Sequence, residues 1–444
     1  AMGAAVRTLE QRTMGKISRR LMPLAIAAYF VAYIDRTNIG FAALTMNRDL
    51  GLTATMFGRA TGIFFWGYFL FEIPSNLILH RIGARTWIAR IMVAWAAVLC
   101  ATAFVGGPAA LRIMRFLLGV AESGFFPGMI LYFTYWFPSA YRARALAMLC
   151  LAMPASNAVG AAVSGPILGL DGWLGLSGWR WIFILEALPA FLLAYFVRRF
   201  LTDRPAQAAW LEAGEREWLE GRLQAEGRTA AAAGPGTVWR VLVDRRVLIL
   251  SGIYFVNNMV SYSTSFFLPQ LVKALGLTNL ATGFVTFIPF AVATVAMLFW
   301  GWSSDRRRER RWHFALAFIG CGLGFCALAL TSGFFWSLFW MSVAASGLFA
   351  TKSPFWALPS IFLQGREAAA GIALVNSIGN LGGSAGPSVF GWLKDATGNY
   401  HAGLYFIGAC AFVAAAATIL LLRPTASSPP CPLPPSPIPE SFRS

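Results

Sequence analysis

The sequence predicts an all-α membrane protein: twelve transmembrane helices forming two six-helix bundles related by pseudo-symmetry. Three observations predict it. Of the 444 residues, 57% are hydrophobic and only 12% charged, about half the charged share of a soluble domain. Apolar stretches of about 20 residues, long enough to cross a bilayer as a helix, recur along the whole chain. Features of the first half also return in the second at a nearly constant offset.

Taken in order, residues 1–20 are polar and basic. They lack the apolar core and small-residue cleavage site of a signal peptide, so the first span is expected to be retained. Spans follow at 21–45, 56–79, 86–106, 109–134, 145–168 and 181–200, making a first bundle over 21–200. Residues 201–245 form a polar linker in which Trp210, Leu211, Trp218, Leu219 and Leu223 fall on one helical face. An amphipathic helix lying along the membrane surface is expected there. The second bundle, 246–423, holds spans at 246–270, 281–302, 313–331, 334–360, 369–392 and 402–422. Residues 424–444 are proline-rich and cannot build a core.

The net charge of +17 is distributed by loop. Arginines crowd residues 1–20, the loop with Arg81, Arg85 and Arg90, the Arg142/Arg144 and Arg198/Arg199/Arg204 turns, and the run from Arg306 to Arg311. The intervening loops carry few. By the positive-inside rule the rich loops and both termini are cytoplasmic, so the basic charge records topology and no nucleic-acid partner is expected. Five of the six cysteines fall inside apolar spans and no CxxC occurs, so neither a metal nor a redox site is expected.

The repeat is carried by loops and packing elements. Asn76–Trp87 parallels Gly301–Trp312 at an offset of 225, Arg144 parallels Arg366 at 222, and Ala161-x-x-x-Gly165-Pro166 parallels Gly382-x-x-x-Gly386-Pro387 at 221. A duplicated six-helix unit with a long central linker is a transporter architecture, with its site expected between the halves.

Charged groups inside spans point the same way. Asp35 and Arg36 interrupt the first span, and Arg115 and Glu122 the fourth. An ionised side chain near the bilayer centre costs at least ~2.5–3.5 kcal/mol, so such groups mark function by default. Two acid–base pairs suggest movement of an anion together with protons. Arg115 and Glu122, seven residues apart, share a helix face but are separated by about 10.5 Å of axis. Each is therefore expected to exchange partners with Asp35 or Arg36. A carboxylate beside an arginine gains a proton when that arginine moves to substrate, which links binding to protonation.

The loop after the second span resembles the signature G-x-x-x-D-[RK]-x-G-[RK] of the major facilitator superfamily. The second copy keeps Gly301, Asp305 and Arg306; the first has Asn76 and His80 in place of the glycine and aspartate but keeps Arg81 and Gly83. These residues are expected to act in gating, with His80 weakening the first latch or making it pH-sensitive. Within the superfamily the chain resembles the anion:cation symporter family. The resemblance rests on "YIDRTNIGFA", "GYFLFEIPSNLILHRIGARTWI", "RFLLGVAESGFFPG", "WFPSAYRARALA", "GWRWIFILEALPA" and "REAAAGIALVNSIGNLGG", and extends over residues 15–423.

That resemblance implies Asp35 and Glu122 as proton-coupling acids, Arg36 as the fork for a substrate carboxylate, and Arg115 as the partner of Glu122. Tyr33 and Tyr68 are further substrate-binding candidates, as are Ser353, Trp356 and Asn376, with Asn380, Asn257, Asn258 and Gln270 as softer ones. Glu72 and Glu186 are expected to brace helices. Lys352, unusual within the tenth span, either shapes anion selectivity or snorkels to the surface.

The function expected is proton-coupled uptake of a small organic carboxylate, such as tartrate, a sugar acid or an aromatic acid, by alternating access across a bacterial inner membrane. The alternatives are a proton-coupled antiporter exporting metabolites or drugs, suggested by Gly165-Pro166, and a non-transporting nutrient sensor. The partners expected are the anion, protons and the lipid bilayer, the chain acting as a monomer without cofactor. No nucleophile–base, metal or phosphate-binding constellation suggests an enzyme.

Overall fold

A computed structural model describes residues 2–231, 243–307, 309–357 and 365–421, and these are almost wholly helical. The first-half helices are α1 (Met2–Thr37), α2 (Ile39–Asp49), α3 (Ala54–Ile82), α4 (Ala84–Thr102), α5 (Pro108–Glu122), α6 (Phe125–Trp136), α7 (Ser139–Cys150), α8 (Ala152–Leu168) and α9 (Gly178–Phe200). The linker holds α10 (Ala213–Ala231). There follow α11 (Arg245–Lys273), α12 (Asn279–Arg307), α13 (Arg311–Leu330), α14 (Phe334–Ala350), α15 (Lys352–Ala357), α16 (Gly365–Asn380), α17 (Gly382–Thr397) and α18 (His401–Leu421).

Among the described residues, nine helical stretches are long and apolar enough to span a membrane. The other three predicted spans are helical where described but are not among these nine. In α11 a buried run of Asn257, Asn258, Ser261, Ser263, Thr264 and Ser265 lowers the hydropathy of a 29-residue helix. α14 stops at Ala350 and α15 resumes at Lys352, while α16 and α17 part at Leu381. Large apolar side chains such as Ile73, Val295, Phe335 and Leu330 face outward, more than 65% exposed. A continuous apolar exterior of this kind is suited to lipid and not to water.

Polar residues gather where first- and second-half helices meet. At the face away from the chain termini that meeting is backbone against backbone. A Cβ on Gly58 would lie 2.2 Å from the Pro387 carbonyl oxygen, one on Gly391 2.1 Å from that of Ala54, and one on Gly165 3.0 Å from the Gly283 Cα. Glycine is what permits such approach. Asp395, in the last turn of α17, also accepts from the N–H groups of Ala54 (3.1 Å) and Thr55 (2.7 Å) at the start of α3. The far face is closed.

The linker differs from expectation. Its helix begins at Ala213, so Trp210 and Leu211 precede it and sit after a short 3-10 turn opened by Pro205. Trp210 stacks on Trp136 with centroids 5.4 Å apart beneath Arg20, and Leu211 and Leu219 are buried. Lys16 of α1 donates to Glu215 at 2.9 Å, and Arg12 pairs with Glu212. These contacts dock the apolar side of the linker on protein, where a membrane surface had been expected. Burial alone would raise the Glu215 carboxyl, but the bond from Lys16, the Glu212 N–H and the charges of Lys16 and Arg12 together outweigh it and hold the group below its ordinary value.

Candidate functional site

Asp35 and Arg36 occupy the last turn of α1, just before the single turn residue, Asn38, that joins it to α2. Asn38 N still donates to the Ile34 carbonyl at 2.8 Å, so the two helices form one kinked rod. Adjacent residues on a helix point about 100° apart, and here they serve different neighbours. Asp35 turns into the first-half helices, where Trp95 of α4 donates to its Oδ2 at 2.9 Å. Its Oδ1 is buried with no hydrogen-bond partner, and no cation pairs with it among the described residues.

Arg36 turns toward the seam. Its Nε and Nη2 donate to Glu122 Oε2 at 3.1 and 2.8 Å, and its Nη1 donates to the Tyr262 hydroxyl of α11 at 3.2 Å. The guanidinium lies 5.1 and 5.3 Å from the ring centroids of Phe64 and Tyr68, and 6.0 Å from that of Tyr33. Aromatic faces hold a planar cation in place without neutralising it. Tyr33 and Tyr68 are thus placed at the site, as walls around the guanidinium.

The expected pairing of Arg115 with Glu122 is corrected. Arg115 is fully buried and its Nη2 reaches the Arg36 carbonyl at 3.4 Å, while its Nε and Nη1 have no partner. Glu122 ends α5, and Ser123 and a left-handed Gly124 (φ +79°) separate it from α6. The carboxylate at that break meets Arg36 across 86 residues of chain.

The second-half site residues divide. Asn376 donates to Glu72 Oε1 at 3.2 Å and Ser377 to Oε2 at 3.1 Å, so Glu72 ties α3 to α16 across the seam. The side chains of Ser353 and Trp356 lie outside the described residues. Lys352 is 3% exposed, which removes the snorkelling alternative. Its ammonium donates to Asn257 Oδ1, to Ser261 Oγ at 3.0 Å and to Asn258 Oδ1 at 3.4 Å. Asn257 in turn donates to Thr351 at 2.7 Å, and Asn258 to Asn380 at 3.4 Å. Glu186 accepts from Ser164 at 2.8 Å, a brace between α8 and α9.

The expected gating residues sit at the face bearing the termini. His80, Arg81, Asp305 and Arg306 are exposed. Asp305 pairs with Arg310 of its own loop and not across the seam. Two other carboxylates hold the helix starts. Asp203 accepts from Arg85 N at 2.7 Å beside Gly83, whose φ of +96° a side chain would rarely adopt. Glu309 accepts from the N–H groups of Trp312 and His313 at 2.8 and 3.0 Å. Glu309 was findable, since an acid three residues before Trp312 is a helix-cap spacing. Asp203 was not, standing 118 residues from its partner. Gly301 is buried in α12, as a packing glycine should be.

A buried arginine shared between a carboxylate of one half and a hydroxyl of the other is an arrangement that can exchange partners. The sequence comparisons agree with that architecture: the Major Facilitator Superfamily model matches residues 25–387 and again 250–444. The chain belongs to this superfamily. Among its relatives, a "Putative tartrate transporter" of Agrobacterium vitis is 46% identical over 425 residues, covering 95% of this chain and 94% of that one. A "Quinolone resistance transporter" of Acinetobacter baumannii is 39% identical, covering 90% and 92%. A structure of the Escherichia coli xylose transporter XylE superposes with a TM-score of 0.74 over 92% of this chain and 97% of that chain, at 13% identity, and thus shares the major facilitator fold. As a superfamily member the chain is a multi-pass membrane transporter and not an enzyme. No cluster of metal-binding residues occurs among the described residues.

Proposed function

We propose that the chain is a proton-driven symporter that brings a small organic carboxylate into the cell. It would act as a monomer, with twelve spans in two six-helix halves and both termini cytoplasmic. The observation that carries this reading is the Glu122–Arg36–Tyr262 string across the seam beside Asp35, a buried acid without a cation. A substrate carboxylate competes with Glu122 for the Arg36 fork, and Glu122, losing its counter-charge, takes a proton. Asp35 crosses as the neutral acid, because its ionised form would be a buried unpaired charge. The two halves then rock about this site, exposing it to one side at a time. The Agrobacterium vitis relative's name makes tartrate the first anion to test, beside a sugar acid and an aromatic acid.

The test uses purified protein in liposomes under an imposed pH gradient. Asp35→Asn and Glu122→Gln are expected to lose accumulation while retaining substrate exchange; unchanged concentrative uptake by both would refute the coupling role. Arg36→Lys, which cannot fork onto a carboxylate, is expected to weaken binding about tenfold or more. Normal affinity would remove Arg36 from the site. A second reading, antiport for export, draws support from the Acinetobacter baumannii relative's name. Substrate added outside the liposomes alkalinises the medium under symport and acidifies it under antiport.

A further inference from the structure

Three buried cations, Arg36, Arg115 and Lys352, surround the seam, and among the described residues only Arg36 has a carboxylate within ion-pair distance. Arg36 is committed to Glu122, and Arg115 acts through the Arg36 backbone. Lys352 stands on the other side. Its ammonium faces Asn257, Asn258 and Ser261 of α11 and lies 5.6 Å from the ring centroid of Tyr254. Among the described residues, the titratable groups near it besides Tyr254 are the thiols of Cys150 in α7 and Cys321 in α13. Amides and hydroxyls solvate a cation here, but nothing described neutralises it. A lone ammonium away from water is costly to hold, and a chain that does so gains most where an anion arrives to complete it.

Arg36 and Lys352 also grip the same stretch of α11. Arg36 reaches Tyr262, and Lys352 reaches Asn258 and Ser261, one turn or less away. Asn258 and Tyr262 are four residues apart and so share a helix face, about 6 Å of axis separating them. Two cations on one polar face, contributed by different halves, form a two-pole receptor.

We infer that Lys352 is the second anion pole of the substrate site and that the chain selects short dicarboxylates, one carboxylate on Arg36 and the other on Lys352. This rests on the carboxylate-transport reading above and narrows it. Asn257, Asn258 and Ser261 orient the ammonium and are freed toward substrate hydroxyls when the anion binds. A dianion bridging the poles also draws the two halves together, so occupancy by both carboxylates favours the closed state from which transport proceeds. A monoanion satisfies one pole and leaves the other buried and bare.

The experiment compares a four-carbon dicarboxylate, tartrate or malate, with its own monoamide in proteoliposomes containing wild type, Lys352→Gln or Lys352→Arg. In wild type the dicarboxylate is expected to have at least a tenfold lower KM than the monoamide, the worth of a charge-assisted contact. Lys352→Gln should remove that preference by raising the dicarboxylate KM while moving the monoamide KM less than about threefold. Lys352→Arg should restore part of the preference, which a purely structural lysine would not require. Equal loss for both probes in Lys352→Gln, or an equal KM for both in wild type, overturns the second pole and leaves carboxylate symport standing. Absence of proton-linked flux with any carboxylate overturns both.

Discussion

The four first-half charges differ in what each would lose on substitution. Glu122 neutralises Arg36 through two donors, so Glu122→Ala strands a buried guanidinium, a loss of about 3–5 kcal/mol. Asp35→Asn retains an oxygen for Trp95 and replaces a neutral acid with a neutral amide of the same shape, so its cost should stay below about 1 kcal/mol. Thermal denaturation in detergent is expected to show a large fall in midpoint for Glu122→Ala and little or none for Asp35→Asn, although both lose concentrative uptake. Equal falls would mean that Asp35 is a structural acid. That these four residues matter was legible, because charges in apolar spans announce themselves. The pairing of Glu122 with Arg36 was among the exchanges their spacing suggested, whereas the Arg115–Glu122 pair implied by the resemblance is not formed. Arg115 and Glu122 do share the unbroken α5, and the roughly 10.5 Å of axis between them leaves each to α1, Glu122 to the Arg36 guanidinium and Arg115 to the Arg36 carbonyl.

At the level of elements, helix ends are held by acids far away in the chain, and these were the least legible features. Asp395 closes the start of α3 from α17, 341 residues distant from Ala54. Neither strand of text carries a sign of the other, since the contact exists only once both halves are folded and the far face is shut. The start of the linker helix at Ala213 has a related cause. Trp210 and Leu211 fit the helical period, but Pro205 and the chain's return toward α6 end that pattern before Ala213. Partial burial pushes the Asp395 carboxyl up, but hydrogen bonds from Thr55 and the neighbouring cap outweigh it and hold the group below its ordinary 3.8. The cap is therefore complete above about pH 4 and is lost as the pH falls through the depressed value. Asp395→Ala removes a contact of about 1 kcal/mol, shifting the balance between far-face-closed and far-face-open molecules roughly fivefold toward open. Distances between spin labels at the ends of α3 and α17 would show this above pH 4. As the pH falls through the depressed value wild type should approach the variant; a difference that stayed constant through that acid titration would assign the effect to something other than the cap's charge.

For the molecule as a whole, the polar seam and the glycine contacts make one mechanical device. Nine of the twelve spans expected from hydropathy correspond to helical stretches long and apolar enough to cross a membrane among the described residues. The three expected spans that are not among the nine apolar stretches correspond to α11, α14–α15 and α16–α17, each of which supplies residues to the seam. In α11 the buried polar run that serves the seam is also what lowers its hydropathy, whereas α14 is apolar but short. A transporter that alternates must open what is now shut, so the closed far face has to fit closely without being permanent. Backbone contact through glycine meets both needs, being short-ranged and free of interlocking side chains. Gly58→Val places a Cβ 2.2 Å from the Pro387 oxygen, which backbone cannot yield to without separating α3 from α17. The variant is expected to fold, because the clash lies between halves and not within one. It should bind substrate from the far side, fail to close over it, and lose uptake by more than about tenfold, with labels on α3 and α17 farther apart than in wild type. Gly106→Ala, where a Cβ meets nothing within 4 Å, is the control and should transport normally. Wild-type uptake by Gly58→Val would show that this seam does not need to close in the transport cycle.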